Sequence, residues 1–149
     1  MAHAHKVHLR IVTADAQVLD EEADLVIAPG GAGELGIQAR HIPIVTTLKP
    51  GELRILEQQT EKVFAVAGGF LEVRNEDEGS AAIVLANAAE PAEGIDVARA
   101  EAARHRAEER LAQRDANIDA VRAEAALMRA TARLKVVEQT NTRRRNVGQ

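Results

Sequence analysis

The residues best placed to do chemistry in this chain are arginines. Arg129 and Arg133 stand four apart in a stretch without Gly or Pro. On a helix they share a face and repel by roughly a few tenths of a kcal/mol. If the chain folds back around Asp115, paired helices set residues whose numbers total about 230 at one level, which puts Arg99 between the two. Three guanidiniums on one patch are unfavourable unless an anion sits among them, and their forked donors suit phosphate oxygens. Asp96, near the start of the first helix, can accept from the exocyclic amine of a base or from Arg99 itself. The same level rule sets Arg106 opposite Glu124, so an ion pair is its plainer alternative. For the whole segment the plainer alternative is a solvated charged helix.

Other chemistries find less support. The chain contains no Gly-x-x-x-x-Gly-Lys-Ser/Thr sequence, so an anion held here is not expected to be hydrolysed. It has no Cys, which removes disulfides, thiolate zinc sites and cysteine nucleophiles, and a reducing cytoplasm fits best. Its His residues are scattered, with His3, His5 and His8 grouped only near the start, so no metal site is expected. Glu34 and His41 lack an identifiable companion for hydrolysis. Read from the residues alone, Glu34 is a solvated turn carboxylate and His41 fills a bend before Pro43. Nucleic acid is not an expected partner either. The formal net charge is −4, and no aromatic follows position 95 to stack on a base.

The elements that must position these arginines divide into two kinds. Residues 1 to 95 carry 7 basic and 15 acidic side chains, whereas residues 96 to 149 carry 12 basic and 8 acidic ones. An acidic module therefore precedes a basic one that suits an anionic partner. In the first, apolar residues alternate with period two, as at Val7, Leu9, Ile11 and at Leu53, Ile55. Strands are predicted at Lys6 to Thr13, Ala23 to Ala28, Gly33 to Ile37, Gly51 to Leu56, Lys62 to Ala67, Gly69 to Arg74 and Ala81 to Leu85. Breaks fall at Pro29-Gly30-Gly31, Pro50-Gly51, Gly68-Gly69 and Asn75 to Gly79. The second module is Ala-rich and predicts two helices. Ile95, Val97, Ala98, Ala102 and Leu111 form one apolar side, and Ile118, Val121, Ala125, Met128, Ala132 and Val136 the other. Arg114-Asp115-Ala116-Asn117 offers the turn, with Asp115 or Asn117 as cap of the second helix.

The fold expected is α+β: a small antiparallel β-sandwich or barrel over residues 1 to 90, then an antiparallel helical hairpin over 91 to 140. Residues 141 to 149, with Arg143-Arg144-Arg145, show no pattern and are expected to be a disordered basic tail. Stripes made largely of Ala bury little area, so at about 25 cal/mol per Å² the hairpin is weakly held and able to open or re-dock. Neither a signal peptide nor a bilayer-spanning run is visible, and direct membrane insertion is not expected.

These motifs carry a resemblance. Gly33-Glu34-Leu35-Gly36-Ile37, then His41-Ile42-Pro43, then Gly68-Gly69-Phe70-Leu71-Glu72-Val73 resemble the epsilon subunits of F-type ATP synthase. Ile95-Asp96-Val97-Ala98-Arg99-Ala100 is similar to the (Ile/Leu)-Asp-x-x-Arg-Ala motif with which bacterial members hold ATP. Leu127-Met128-Arg129-Ala130 with Arg133-Leu134 is similar to their second helix. The likeness spans roughly residues 6 to 140. Where the family has Pro-Gly before the His, this chain has Ala39-Arg40, and its basic tail runs past the family's usual end.

The resemblance implies a rotor subunit of the central stalk with no catalytic residue and no required cofactor. It implies attachment through the β domain to the gamma subunit and to the polar loops of the c-ring, with Glu34 and His41 at the matching positions. It implies regulatory ATP bound by Glu90, Asp96, Arg99, Arg106, Arg129 and Arg133. ATP would hold the hairpin folded, and its loss would let the helices extend toward the alpha/beta catalytic head and inhibit hydrolysis. For Glu90, beside Pro91, the plainer alternative is an exposed linker acid. The expected location is peripheral, at the cytoplasmic face of the plasma membrane. A non-catalytic interaction scaffold, with an acidic β domain and a basic hairpin, is the alternative.

Overall fold

The computed structural model describes residues 5 to 113 and 119 to 149, in two compact units, Met1–Pro91 and Ala92–Gln149. The first unit consists of strands β1 (Lys6–Val12), β2 (Gln17–Ala23), β3 (Leu25–Gly30), β4 (Gly33–Ile37), β5 (Ile44–Glu57), β6 (Thr60–Glu76), β7 (Gly79–Ala86) and β8 (Ala89–Pro91). They follow the order β2-β1-β7-β6-β5-β3-β4, with β8 on β6. Alternation does the work expected of it: along β1 and β3 every second side chain is buried. Val7, Leu9, Ile11, Val26, Ile37, Leu53, Leu71, Val73 and Val84 close a core with almost no aromatic contribution. Each such side chain stabilises the fold by about 1.5–3 kcal/mol.

Three features depart from the strand pattern expected. First, Pro50-Gly51 and Gly68-Gly69 bend strands instead of ending them, so β5 and β6 run for 14 and 17 residues. The two sites lie next to each other across the pair, between Leu48↔Gly69 and Pro50↔Ala67 of one continuous register. Gly68 and Gly69 have φ of +94° and +138°, and a Cβ on Gly69 would fall 2.0 Å from the Leu85 carbonyl oxygen. Only glycine lets β6 turn there while staying against β7. Second, β2 (QVLDEEA) lay hidden in the sequence because it is an edge strand carrying mostly polar residues, a common protection of an open edge. Third, β1 pairs with β7 in parallel, within a sheet that is otherwise antiparallel. Turn residues fix direction only between strands adjacent in sequence, and β1 and β7 are not adjacent.

The second unit begins with a 3-10 turn, Ala92–Gly94, followed by α1 (Val97–Ala112) and α2 (Ala120–Val147). Asp96 caps α1 by accepting the Arg99 N–H at 3.0 Å, and Asp119 caps α2 by accepting the Arg122 N–H at 3.1 Å. Asp119 is thus the cap where Asp115 or Asn117 was expected; those two, the proposed turn and Ile118 lie outside the described residues. Ala100 and Ala107 on α1, and Ala123 and Ala130 on α2, are buried at intervals of seven. The pairs Ala100/Ala130 and Ala107/Ala123 suit a fold-back centred near position 115. A second correction concerns the tail, because α2 continues through Asn141 to Val147. No Gly or Pro stops it before Gly148, and Arg144 and Arg145 complement the negative end of the helix dipole.

Candidate functional site

On the hairpin, the arginines are presented by two helical stripes. Arg99, Arg106 and Arg110 recur at helical steps on α1, and Arg122, Arg129 and Arg133 on α2. Arg110, Gln113, Asp119, Arg122, Ala123, Ala125, Ala126 and Arg129 line a cleft of about 640 Å³, within the size range of small-molecule sites. The alanine floor leaves the room, and the guanidiniums supply the charge. Among the described residues, the ion pairs of the hairpin are Arg104–Glu108, His105–Glu109 and Arg144–Glu93. They leave out Arg99, Arg106, Arg110, Arg122 and Arg129. In particular, Arg106 and Glu124 form no ion pair among the described residues. Asp96 is committed to its cap through Oδ1, which leaves Oδ2 as the atom able to accept from a ligand. Arg133 is half-buried on α2, and Glu90 is half-buried on β8 with Ala65 as its register partner. Of the residues singled out by sequence, the cleft takes in Arg129 alone. Arg110 and Arg122 went unnoticed, although their spacing from Arg106 and Arg129 held the signal.

The β unit presents a different kind of surface. Glu34 is exposed in the tight β3–β4 hairpin opposite Pro29. His41 is half-buried, its Nδ1 2.7 Å from the Ile42 carbonyl oxygen and its backbone N–H donating to Gln38 at 3.2 Å. Just before it, Arg40 takes φ of +64° and donates its N–H to Ser80 Oγ at 2.7 Å. A glycine-like backbone is therefore held here by an arginine. Beyond these, the outer face carries an apolar row that sequence reading missed. Thr47, Phe70, Leu85 and Val12 are consecutive partners across β5, β6, β7 and β1. Phe70 and Leu85 are 56% and 52% exposed, and Val45, two residues before Thr47 on β5, is 74% exposed. Exposed large apolar side chains grouped in this way mark a surface awaiting a partner. The period-two pattern signalled which residues alternate but not which outward face is apolar.

Comparison with known proteins fits both units. The model of the ATP synthase delta/epsilon chain β-sandwich domain matches residues 6 to 92, and that of the delta/epsilon chain long α-helix domain matches residues 93 to 138. The chain belongs to the ATP synthase epsilon chain family. An ATP synthase epsilon chain from Syntrophobacter fumaroxidans is 49% identical over 137 residues, covering 92% of this chain and 99% of that one. One from Pelotomaculum thermopropionicum is 53% identical, covering 71% and 76%. In fold, the chain is similar to a chain of the Euglena gracilis mitochondrial ATP synthase OSCP/F1/c-ring assembly, with TM-score 0.74 and 23% identity over 85% of this chain and 78% of that one. A chain of the Tetrahymena thermophila central stalk and c-ring assembly has TM-score 0.52 and 16% identity, over 91% and 96%.

An epsilon chain is a non-catalytic stalk subunit, and the catalysis of ATP synthase takes place elsewhere in the complex. Among the described residues no group of His, Asp or Glu is arranged to hold a metal ion. No described helix is long and apolar enough to cross a membrane, while the complex itself is membrane-associated. Both motif regions fall inside the matched domains; residues 139 to 149 fall beyond them.

Proposed function

We propose that this chain couples the gamma subunit to the c-ring through its β-sandwich and restrains ATP hydrolysis through a hairpin that ATP holds folded. The observation that carries the regulatory half is the cleft of the alanine-seamed hairpin, lined by Arg110, Arg122 and Arg129, which form no ion pair among the described residues. Arginine forks around an open cleft are a receptor for a polyphosphate. Arg129, with Arg110 and Arg122 in the cleft, and Arg99, Arg106 and Arg133 along the same two helices, would bind the phosphates, and Asp96 and Glu90 the base or ribose. The thin alanine seam makes the folded form easy to shift, so a ligand that binds only that form controls its population. When the hairpin opens, the same basic face would meet acidic segments of the alpha/beta head. The apolar row with Phe70 and Leu85 suits gamma, and Glu34 and His41 suit the polar c-ring loops. The chain would then sit peripherally at the cytoplasmic face of the plasma membrane.

The test is calorimetric titration of the isolated chain with ATP, beside an Arg99→Ala/Arg129→Ala variant. Saturable binding by the wild type, lost in the variant, supports the switch. No binding up to millimolar ATP would reduce these arginines to contacts with protein partners.

A further inference from the structure

The last turns of α2 reach past α1 and meet the segment on which the hairpin must swing. With 16 residues α1 spans about 24 Å, and with 28 residues α2 spans about 42 Å. Taking Ala100 and Ala130 as one level of the seam, α1 runs out near position 134 of α2. Beyond that point α2 packs against the 3-10 turn Ala92–Gly94. Ala92 and Ile95 on one side, and Val136 and Thr140 on the other, are all buried. On the surface above them Arg144 donates to Glu93, the one carboxylate of that turn.

We infer that residues 139 to 147 are a latch, closed by the Arg144–Glu93 ion pair, that holds the end of α2 on the turn leading into α1. The turn stands between the unit boundary at Pro91 and the Asp96 cap, so a re-docking that pivots at the start of the hairpin changes backbone angles at or beside it. A helix end clamped there opposes that change. The charge partition supports the latch as well: Glu93 lies in the acidic part of the chain, and Arg144 in a run of three arginines beyond the matched family domain. The Glu93 carboxyl is held below its usual range, first by a backbone N–H and then by Arg144. Both side chains are more than half exposed, so the pair is a bias and not a lock. Its modest strength suits an equilibrium that a ligand of the folded form can still tip. The regulatory consequence, though not the contact, rests on the mobile hairpin proposed above.

Amide hydrogen exchange of the full chain, without nucleotide, tests the contact. Arg144→Glu and Glu93→Arg should each speed exchange across residues 136 to 147 by roughly two- to five-fold, leaving the Ala100 to Ala107 turns of α1 unchanged. The charge-swapped double variant should return to the wild-type rate. Single variants that exchange like wild type, or a swap as fast as the singles, would overturn the latch. This readout involves neither ATP nor the complex, so it succeeds or fails separately from the nucleotide site. In the assembled complex, Arg144→Glu should deepen inhibition of ATP hydrolysis, and the swap should relieve it. Faster exchange with unchanged hydrolysis would overturn the regulatory role and leave a structural contact.

Discussion

Asp96 has one observed role, as a helix cap, and one proposed role, as a nucleotide ligand, and mutation can separate them. Its Oδ1 caps α1 through the Arg99 N–H, and its negative charge stands among the candidate nucleotide ligands. Asn caps a helix about as well as Asp. Asp96→Asn should therefore leave helix content by circular dichroism intact while altering ATP affinity. Asp96→Ala should cost about 1 kcal/mol of helix stability in addition. Equal loss of helix in both variants would contradict this division. In the β unit, Asp24 accepts the Gln58 N–H at 2.6 Å and lies 3.5 Å from Lys6. The backbone hydrogen bond first, and Lys6 with it, hold its carboxyl below the ordinary range, against the opposing effect of desolvation. Because the folded value is the lower one, the stabilisation is complete above the unfolded carboxylate range, about pH 4, and is lost as pH falls through the folded value. Urea midpoints should drop on acidification below about pH 4, and Asp24→Asn should flatten that drop.

At the scale of elements, the alanine seam decides how the hairpin behaves. Ala107 and Ala123 are almost fully buried, so a larger side chain at Ala107 must displace what packs against it. Ala107→Leu should destabilise the hairpin by about 1–3 kcal/mol through overpacking, visible as an earlier helical melting transition, with ATP affinity falling in parallel. An unchanged transition would mean that the seam does not bear on folding of the hairpin. Alternation and composition make the sandwich, the two helices and most strands legible in the sequence. The long strands are not, because Gly68-Gly69 serves equally as a turn or as a bend, and only the approach of the Leu85 carbonyl decides between them. The helical tail escaped notice because Asn141 to Val147 lacks apolar periodicity; the contact of Arg144 with Glu93, 51 positions away, is a tertiary fact. For the candidate site, the level rule drew Arg99, Arg129 and Arg133 from spacing, and of these the cleft takes in Arg129 alone. Arg110 and Arg122 repeat the same helical steps, but spacing does not say where along the hairpin the cleft opens.

For the molecule as a whole, the boundary at Pro91 separates the β-sandwich, to which the proposal assigns attachment, from the hairpin, to which it assigns regulation. The sandwich has a full apolar core, whereas the helical unit buries mainly alanines with Ile95 and Val136, beside two caps and exposed ion pairs. That contrast in packing is what the proposed switch requires, since regulatory elements come from the less stable part of a structure. The most direct measurement is the rate of ATP hydrolysis by the complex assembled with the full chain and with residues 1 to 91 alone, at low and high ATP. The account predicts that both forms assemble, and that the shortened chain gives the faster hydrolysis at low ATP. At high ATP the difference should narrow, as nucleotide folds the hairpin away. Equal rates at low ATP, with both complexes fully assembled, would contradict it.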